Sequence, residues 1–188
     1  VTDGIVIEDV SHTATAGSQF VWIPVGDIIK DSEGNKEKIT LGRYVFKEDG
    51  TIDTALSKTE PGEQIQPSGY SDYFTEGLKD SSTTNTHAKD IEDFKNKVTN
   101  TTHGYYIGRY ESRKNGTQVT VKASDTVYNN ITQPNAATVS RGMYSSDSNF
   151  ESDLINSYAW DTAIVFLQKF DNRANKASLK PYSKQNSL

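Results

Sequence analysis

Cysteine is absent from the chain, which excludes disulfide bonds, thiolate metal ligands and a cysteine nucleophile. Long hydrophobic runs are absent too, and no segment has the length of apolar sequence needed to cross a bilayer. Positive charge is scarce, because 20 lysine and arginine residues stand against 25 aspartate and glutamate residues, giving a net charge of −5. No basic face stands out, which argues against nucleic acid as a partner.

Tyrosine and small polar residues are plentiful. The 10 tyrosines outnumber the 7 phenylalanines and 2 tryptophans, which is typical of loop-rich proteins with half-exposed rings. Hydrophobic residues make up 34% of the 188 positions, enough to build the core of a single domain. The abundance of Thr, Ser, Asn and Gly is typical of exported bacterial surface proteins. We therefore expect an extracellular or cell-surface location.

The first half of the chain predicts strands. Residues 5–7 form a short strand candidate, and residues 19–25 (QFVWIPV) form a stronger one that ends near Pro24. Residues 38–46 (KITLGRYVF) follow a polar turn at residues 31–35, so the two longer runs predict a hairpin.

Residues 51–86 show no periodicity and contain many turn residues, which indicates a loop-rich insertion. Within it, Tyr70, Tyr73 and Phe74 form an aromatic cluster. The cluster is either an exposed ligand-binding patch or a small core that holds the insertion down. Residues 88–98 then carry apolar side chains at helical spacing and predict a helix of about three turns.

The second half predicts two strands and two helices. Residues 104–110 and 117–122 are expected to be neighbouring strands joined by a turn at residues 114–116. Thr132 and Pro134 are expected to open a helix that Gly142 ends. Ser157 is expected to cap the next helix, with Asp161 in its first turn. The apolar face predicted for that helix consists of Trp160, Ala163, Ile164, Leu167 and Phe170.

One acidic run has the alternating oxygen ligands that calcium prefers: Asp147, Asn149, Glu151 and Asp153. Tyr158 occupies the position where a closing glutamate would stand, and the turn has no glycine. The alternative interpretation is a solvated acidic loop before the helix. Calcium is thus a candidate ion, and we expect no other cofactor.

Histidine and arginine are too scattered to predict a catalytic cluster. His12, His87 and His103 lie far apart in sequence, so surface or loop-anchoring roles are favoured over metal ligation or general-base catalysis. Arg43 and Arg109 follow glycine within predicted strands, where pairing with an acid across the sheet is favoured over ligand binding. The serines show no His/Asp pattern typical of a triad.

Four blocks in order resemble the formylglycine-generating-enzyme (sulfatase-modifying factor) superfamily. They are residues 20–26 (FVWIPVG), 104–111 (GYYIGRYE), 128–136 (YNNITQPNA) and 154–163 (LINSYAWDTA). The resemblance implies an α+β, C-type-lectin-like fold, irregular and loop-rich, with short helices packed on a twisted mixed sheet. The most similar branch comprises non-catalytic phage and Gram-positive surface proteins, some of them variable proteins diversified by retroelements.

The chain departs from that superfamily in two places. Nothing after residue 170 resembles the family's closing "GN-x-x-EW" and "RGG…FR" blocks, so we expect an incomplete fold. Residues 27–101 are longer than the usual connection. We therefore expect a single domain or a fragment of one, with N-terminal strands at 1–46, an insertion with one helix at 47–100, a two-helix scaffold at 101–170 and a tail at 171–188.

These features predict a non-catalytic, exported binding or display domain whose partner is a protein or a glycan on another surface. One alternative is a structural component of a pilus or a phage particle. A formylglycine-type oxidase is a further alternative, but such an enzyme needs cysteine thiolates for its copper, and this chain has none.

Overall fold

A computed structural model describes residues 5–29, 33–58 and 91–170. These residues form an α+β structure with short helices and small sheets, as the sequence predicted. Every strand pairing described is antiparallel, so the expected mixed sheet is not found within these ranges. The strands are β1 (Val6–Glu8), β2 (Gln19–Pro24), β3 (Gly26–Ile29), β4 (Lys36–Ile39), β5 (Arg43–Phe46), β6 (Ile52–Lys58), β7 (Gly104–Gly108), β8 (Arg113–Asn115), β9 (Gln118–Thr120) and β10 (Thr126–Val127). The helices are α1 (Ile91–Lys97), α2 (Gln133–Gly142) and α3 (Ser157–Phe170).

The central sheet has the strand order β1-β2-β7. Alternate side chains of a strand point to opposite faces, so the run predicted at residues 19–25 divides into two sets. Val21 and Ile23 share the inner face with Tyr105 and Ile107, and this face packs against α3. Phe20 and Trp22 lie on the opposite, outer face. The core therefore sits between one face of the central sheet and α3.

Helix α3 begins one residue earlier than the sequence predicted. The cap is Asn156, whose side-chain oxygen accepts a hydrogen bond from the Ala159 N–H at 2.9 Å. Ser157, the predicted cap, is the first helical residue. Asp161 consequently lies beyond the first turn, where it is buried instead of facing the helix dipole.

The predicted apolar face of α3 was wrong in part. Ala163 and Ile164 are buried, but Trp160 and Leu167 are 46% and 38% exposed. The side chain of Phe170 lies outside the description. Most residues from Tyr158 to Phe166 are buried, including the polar Asp161 and Thr162. The helix has neighbours on several sides, so apolar spacing alone could not identify the face that packs.

Residues 38–46 do not form one strand paired with residues 19–25, contrary to the sequence prediction. β3 pairs with β4, β5 pairs with β6, and residues 40–42 interrupt the run between β4 and β5. A hydrogen bond to α3 fixes this interruption, since the Gly42 N–H donates to the Thr162 hydroxyl at 3.1 Å. The partner of β5 is β6, a strand that the sequence assigned to the loop-rich insertion.

The expected neighbours β7 and β9 do not pair with each other. β7 pairs with β2, while β9 pairs with β8 across the two-residue turn at Gly116, in a sheet of order β10-β8-β9. The helix predicted at residues 88–98 is α1 followed by a π-helical turn, Val98–Thr102; residues 88–90 lie outside the description. Helix α2 begins after Thr132 as predicted, although the Thr132 hydroxyl makes no capping hydrogen bond.

Candidate functional site

A compact polar and aromatic cluster joins the loop after β1 to the connection between α2 and α3. We call it the His12 cluster, and its members are Asp9, His12, Thr15, Tyr144, Asp147 and Phe150. The two segments lie 135 residues apart in sequence at the His12–Asp147 contact. The cluster therefore fixes a long-range contact that lies outside the main core.

The loop after β1 is folded around the Asp9 carboxylate. One carboxylate oxygen accepts hydrogen bonds from the backbone N–H groups of Ser11 and His12, both at 3.1 Å, which forms an Asx turn. The second oxygen accepts from the Thr15 hydroxyl. Gly17, with φ 83°, donates its N–H to the Asp9 carbonyl and closes the loop. These bonds place His12 at the outside of a tightly wound turn.

The His12 ring lies between two carboxylates. Its Nδ1 is 3.1 Å from Asp9 and its Nε2 is 3.3 Å from Asp147. The ring also makes edge contacts with Tyr144, at 5.2 Å between centroids, and with Phe150, at 5.9 Å. Hydrogen bonding to Asp9, with a second bond to Asp147, raises the pKa of His12 and outweighs the opposing effect of desolvation.

The pKa values of the two carboxylates are shifted in the opposite direction, downward. Burial alone would raise the pKa of Asp9, but hydrogen bonds from Thr15, His12 and Ser11 outweigh it and hold that pKa well below its ordinary value of 3.8. The backbone N–H of Asn149 and the His12 ring likewise lower the pKa of Asp147. The arrangement thus favours an imidazolium ion between two ionised carboxylates.

Such a histidine is poorly suited to general-base catalysis, because both ring nitrogens donate to carboxylates and neither offers a lone pair. The Ser11 hydroxyl lies 3.1 Å from Nδ1, but Asp9 lies at the same distance from that nitrogen. The geometry favours a clamp between two chain segments over an activated nucleophile. This agrees with the loop-anchoring role that the sequence favoured for His12.

Tyr144 connects the His12 cluster to the central sheet. Its hydroxyl donates to Asp9 at 3.1 Å, and its ring lies 6.1 Å from that of Phe20 on the outer face of β2. Burial raises the pKa of Tyr144 to about 12, so it stays a neutral donor. The connection between α2 and α3 is therefore held against one end of the outer sheet face.

The rest of that outer face carries exposed apolar and aromatic side chains. Trp22 and Tyr106 are directly opposite across β2 and β7, with ring centroids 4.9 Å apart, and Tyr106 is 48% exposed. The Trp22 ring covers Gly104, where a Cβ atom would meet the indole at 2.3 Å. Ile5 and Ile7 of the β1 region extend the patch and are 45% and 38% exposed. Residues Ile5, Ile7, Phe20, Trp22 and Tyr106 are called the outer patch below.

The site residues predicted from the sequence either do not belong to the outer patch or lie outside the description. Tyr70, Tyr73 and Phe74 lie outside the described residues. Of the calcium candidates, Asp147 contacts His12, Glu151 accepts from Lys97 at 2.6 Å, and Asp153 accepts from Arg141 at 3.2 Å. Asn149 donates to Asp147 at 2.9 Å.

Asp147 and Asn149 thus bond to each other, while Glu151 and Asp153 pair with separate cations. Within residues 5–29, 33–58 and 91–170, no group of three or more His, Asp and Glu side chains is arranged to hold a metal ion. Calcium binding by Asp147, Asn149, Glu151 and Asp153 stays a prediction of the sequence.

The two arginines singled out in the sequence have structural partners. Arg43 donates through Nε to Asp161 at 2.8 Å, so it pairs with an acid as expected, but the acid lies on α3 and not across the sheet. Arg109 donates to the Gln19 side chain, an amide and not the expected acid, at 2.7 Å, and it lies over the Tyr110 ring. Sequence reasoning missed Asp9, Tyr144 and Phe150. The one local signal was the spacing Asp9-x-Ser11-His12, which is typical of an Asx turn.

No protein-family model matches the chain, and no curated protein or solved structure matches it. None of the helices in the described ranges is long and apolar enough to cross a membrane, as the lack of long hydrophobic runs predicted.

Proposed function

We propose that the chain is a non-catalytic, exported binding or display domain that recognises a protein or a glycan. The observation that carries this proposal is the outer patch, in which Ile5, Ile7 and Tyr106 are exposed and Phe20 and Trp22 are half-buried, on a sheet whose other face packs against α3. Exposed tyrosine and tryptophan rings on a rigid support are typical of recognition surfaces, because they contribute contact area at little cost in conformational entropy.

We infer further that the fold is C-type-lectin-like. Two of the blocks that resemble the formylglycine-generating-enzyme superfamily are the paired strands β2 and β7, which include residues 20–24 and 104–108. The block at residues 154–163 leads into α3, which packs against these strands. Two blocks distant in sequence are thus adjacent in the sheet, and a third packs on it, which supports a common scaffold.

The His12 cluster supports binding over catalysis. Its titratable groups bond to one another in a closed set of hydrogen bonds, and Tyr144 connects it to the edge of the outer patch. A rigid boundary of this kind lowers the entropy lost when a ligand binds. We assign the cluster the role of holding the connection between α2 and α3 beside the recognition surface.

A glycan array and a pull-down against cell-surface proteins test this function with the full chain and with Tyr106→Ser. That substitution removes the most exposed ring of the outer patch, and we expect it to weaken binding at least about tenfold, as truncation of an interface hot spot does. Tyr128→Ser, directly after β10 and outside the outer patch, is the control and should bind normally. Equal binding by both variants, or no ligand in either assay, would contradict the proposal.

A further inference from the structure

One free edge of the central sheet lies along β1. The strand order β1-β2-β7 places β1 outermost, and no described strand pairs with its other side. Backbone groups of an antiparallel strand alternate between its two sides. Trp22 N–H donates to the Ile5 carbonyl and Asp9 N–H donates to the Ser18 carbonyl, so residues 5, 7 and 9 bond to β2. The backbone N–H and C=O groups of Val6 and Glu8 consequently point away from the sheet.

The side chains along this edge do little to block pairing with another strand. Edge strands are commonly protected by lysine, proline or a bulge. The β1 region carries none of these, and Ile5, Val6 and Ile7 are each exposed by more than a third. Glu8 is its one charged side chain, and it accepts a hydrogen bond from Gln19 at 2.8 Å.

We propose that β1 pairs in antiparallel fashion with β1 of a second copy of this chain, around a two-fold axis at Ile7. In this register Val6 of each copy lies opposite Glu8 of the other, and the two residues exchange N–H···O=C bonds in both directions. A two-fold axis at Glu8 would place like charges directly opposite, which is unfavourable. An axis at Val6 would leave the outward groups of Glu8 without a partner among the described residues.

The pairing also joins the two outer patches. Ile7 faces its own counterpart as a non-hydrogen-bonded pair, where Cα atoms lie about 4.5 Å apart. Ile5 and Ile7 of both copies then form one apolar strip across a six-stranded sheet. The strands in contact are short, so the interface falls below the ~1,200 Å² of stable complexes, and we expect a weak, concentration-dependent dimer.

Charge substitutions at Ile7 test the two-fold register directly, because each copy then faces its own substituted residue. Sedimentation equilibrium of the full chain should show dimerisation that Ile7→Lys and Ile7→Glu each weaken at least about tenfold by placing like charges opposite. An equimolar mixture of the two variants should restore association, since lysine then faces glutamate. Val127→Lys and Val127→Glu are the matched controls, because Val127 on β10 is 37% exposed and Ile7 is 38% exposed.

Val6→Pro provides an independent variant. Proline removes the N–H that points away from β2, so the β1–β2 hydrogen bonds persist while the intermolecular bonds are lost. We expect a monomer with an unchanged far-UV circular dichroism spectrum. Dimerisation that survives in Val6→Pro, or that does not recover when the Ile7 variants are mixed, would overturn the proposal. A native chain that stays monomeric up to millimolar concentration would overturn it as well.

Discussion

Two of the long-range carboxylate contacts in the described chain, one at α3 and one in the His12 cluster, use different partners for similarly buried carboxylates. At α3, Asp161 is 8% exposed and accepts from Arg43 and from the Tyr44 N–H. In the His12 cluster, the ring of His12 is 27% exposed between Asp9 and Asp147. The first contact anchors β5 to the core helix, and the second clamps a surface loop to the connection between α2 and α3. Similar chemical groups thus serve the core in one place and the surface in the other.

The pKa values of Asp161 and Asp9 move in opposite directions because their hydrogen bonds differ, since the two side chains are similarly buried, at 8% and 6% exposed. Burial raises the pKa of Asp161 despite the opposing bonds from Arg43 and Tyr44. Hydrogen bonds lower the pKa of Asp9 despite its desolvation. Ionisation of Asp161 therefore opposes folding, whereas ionisation of Asp9 favours it. On acidification Asp161 is therefore protonated first, because its pKa is raised, and Asp9 stays ionised to a lower pH. Of these two protonations, only that of Asp9 lowers the stability of the fold.

The largest loss of unfolding free energy is expected at the anchor, the contact of Asp161 with Arg43 and the Tyr44 N–H. Asp161→Ala leaves Arg43 and the Tyr44 N–H without their acceptor, and removing one partner of a buried pair costs about 3 kcal/mol of unfolding free energy. Urea denaturation followed by circular dichroism measures the loss. Asp161→Asn retains an oxygen acceptor and should lose less. Equal stabilities for Asp161→Ala and the native chain would show that the anchor is dispensable.

A smaller loss of unfolding free energy is expected at the clamp, the contact of His12 with Asp9 and Asp147. Asp9 accepts bonds from Ser11, His12, Thr15 and Tyr144, so Asp9→Ala leaves several donors without a partner and should cost about 2 kcal/mol. The same denaturation experiment reports it. Glu8→Ala, which changes an exposed carboxylate one residue earlier, should change stability by less than about 0.5 kcal/mol. If both variants lose the same amount, the clamp has no special role.

The cap of α3 provides a third test. Asn156→Ala removes the side-chain acceptor of the Ala159 N–H and should cost about 1 kcal/mol. Ser157→Ala is its neighbour and control. The buried Ser157 hydroxyl has no hydrogen-bond partner in the part of the chain that the structure describes, so its removal should not destabilise the protein. A greater loss for Ser157→Ala would restore the cap that the sequence predicted.

The clamp should also make stability depend on pH. The contribution of His12 is fully present below its ordinary pKa of 6.5 and is lost as pH rises through its raised pKa. The contributions of Asp9 and Asp147 are present above 3.8 and are lost as pH falls through their lowered pKa values. The unfolding free energy contributed by the clamp should therefore be largest between about pH 4 and 6.5, as measured by urea denaturation in a buffer series. His12→Gln should reduce the loss on the alkaline side, and an unchanged profile would count against the clamp.

Local patterns predicted the parts of this fold that depend on local chemistry. The hydrophobic and aromatic runs at residues 19–25 and 104–110 identified β2 and β7, and the Thr132–Pro134 signal located α2. The pairing of the strands was harder to predict. The break at residues 40–42 depends on the hydrogen bond from Gly42 to Thr162, which lies 120 residues later in the sequence. The His12 cluster has the same property. Asp9 and His12 indicate a local turn, but nothing near them in sequence predicts their contacts with Tyr144 and Asp147.

The central claim is that His12 is an imidazolium clamp and not a catalytic base. Nuclear magnetic resonance titration of its ring, assigned by comparison with His12→Gln, tests this most directly. We expect a midpoint above 6.5 that falls when Asp147→Asn removes one carboxylate, because each carboxylate favours the protonated ring. A midpoint at or below 6.5, unchanged by Asp147→Asn, would contradict the clamp and leave His12 free to act as a base.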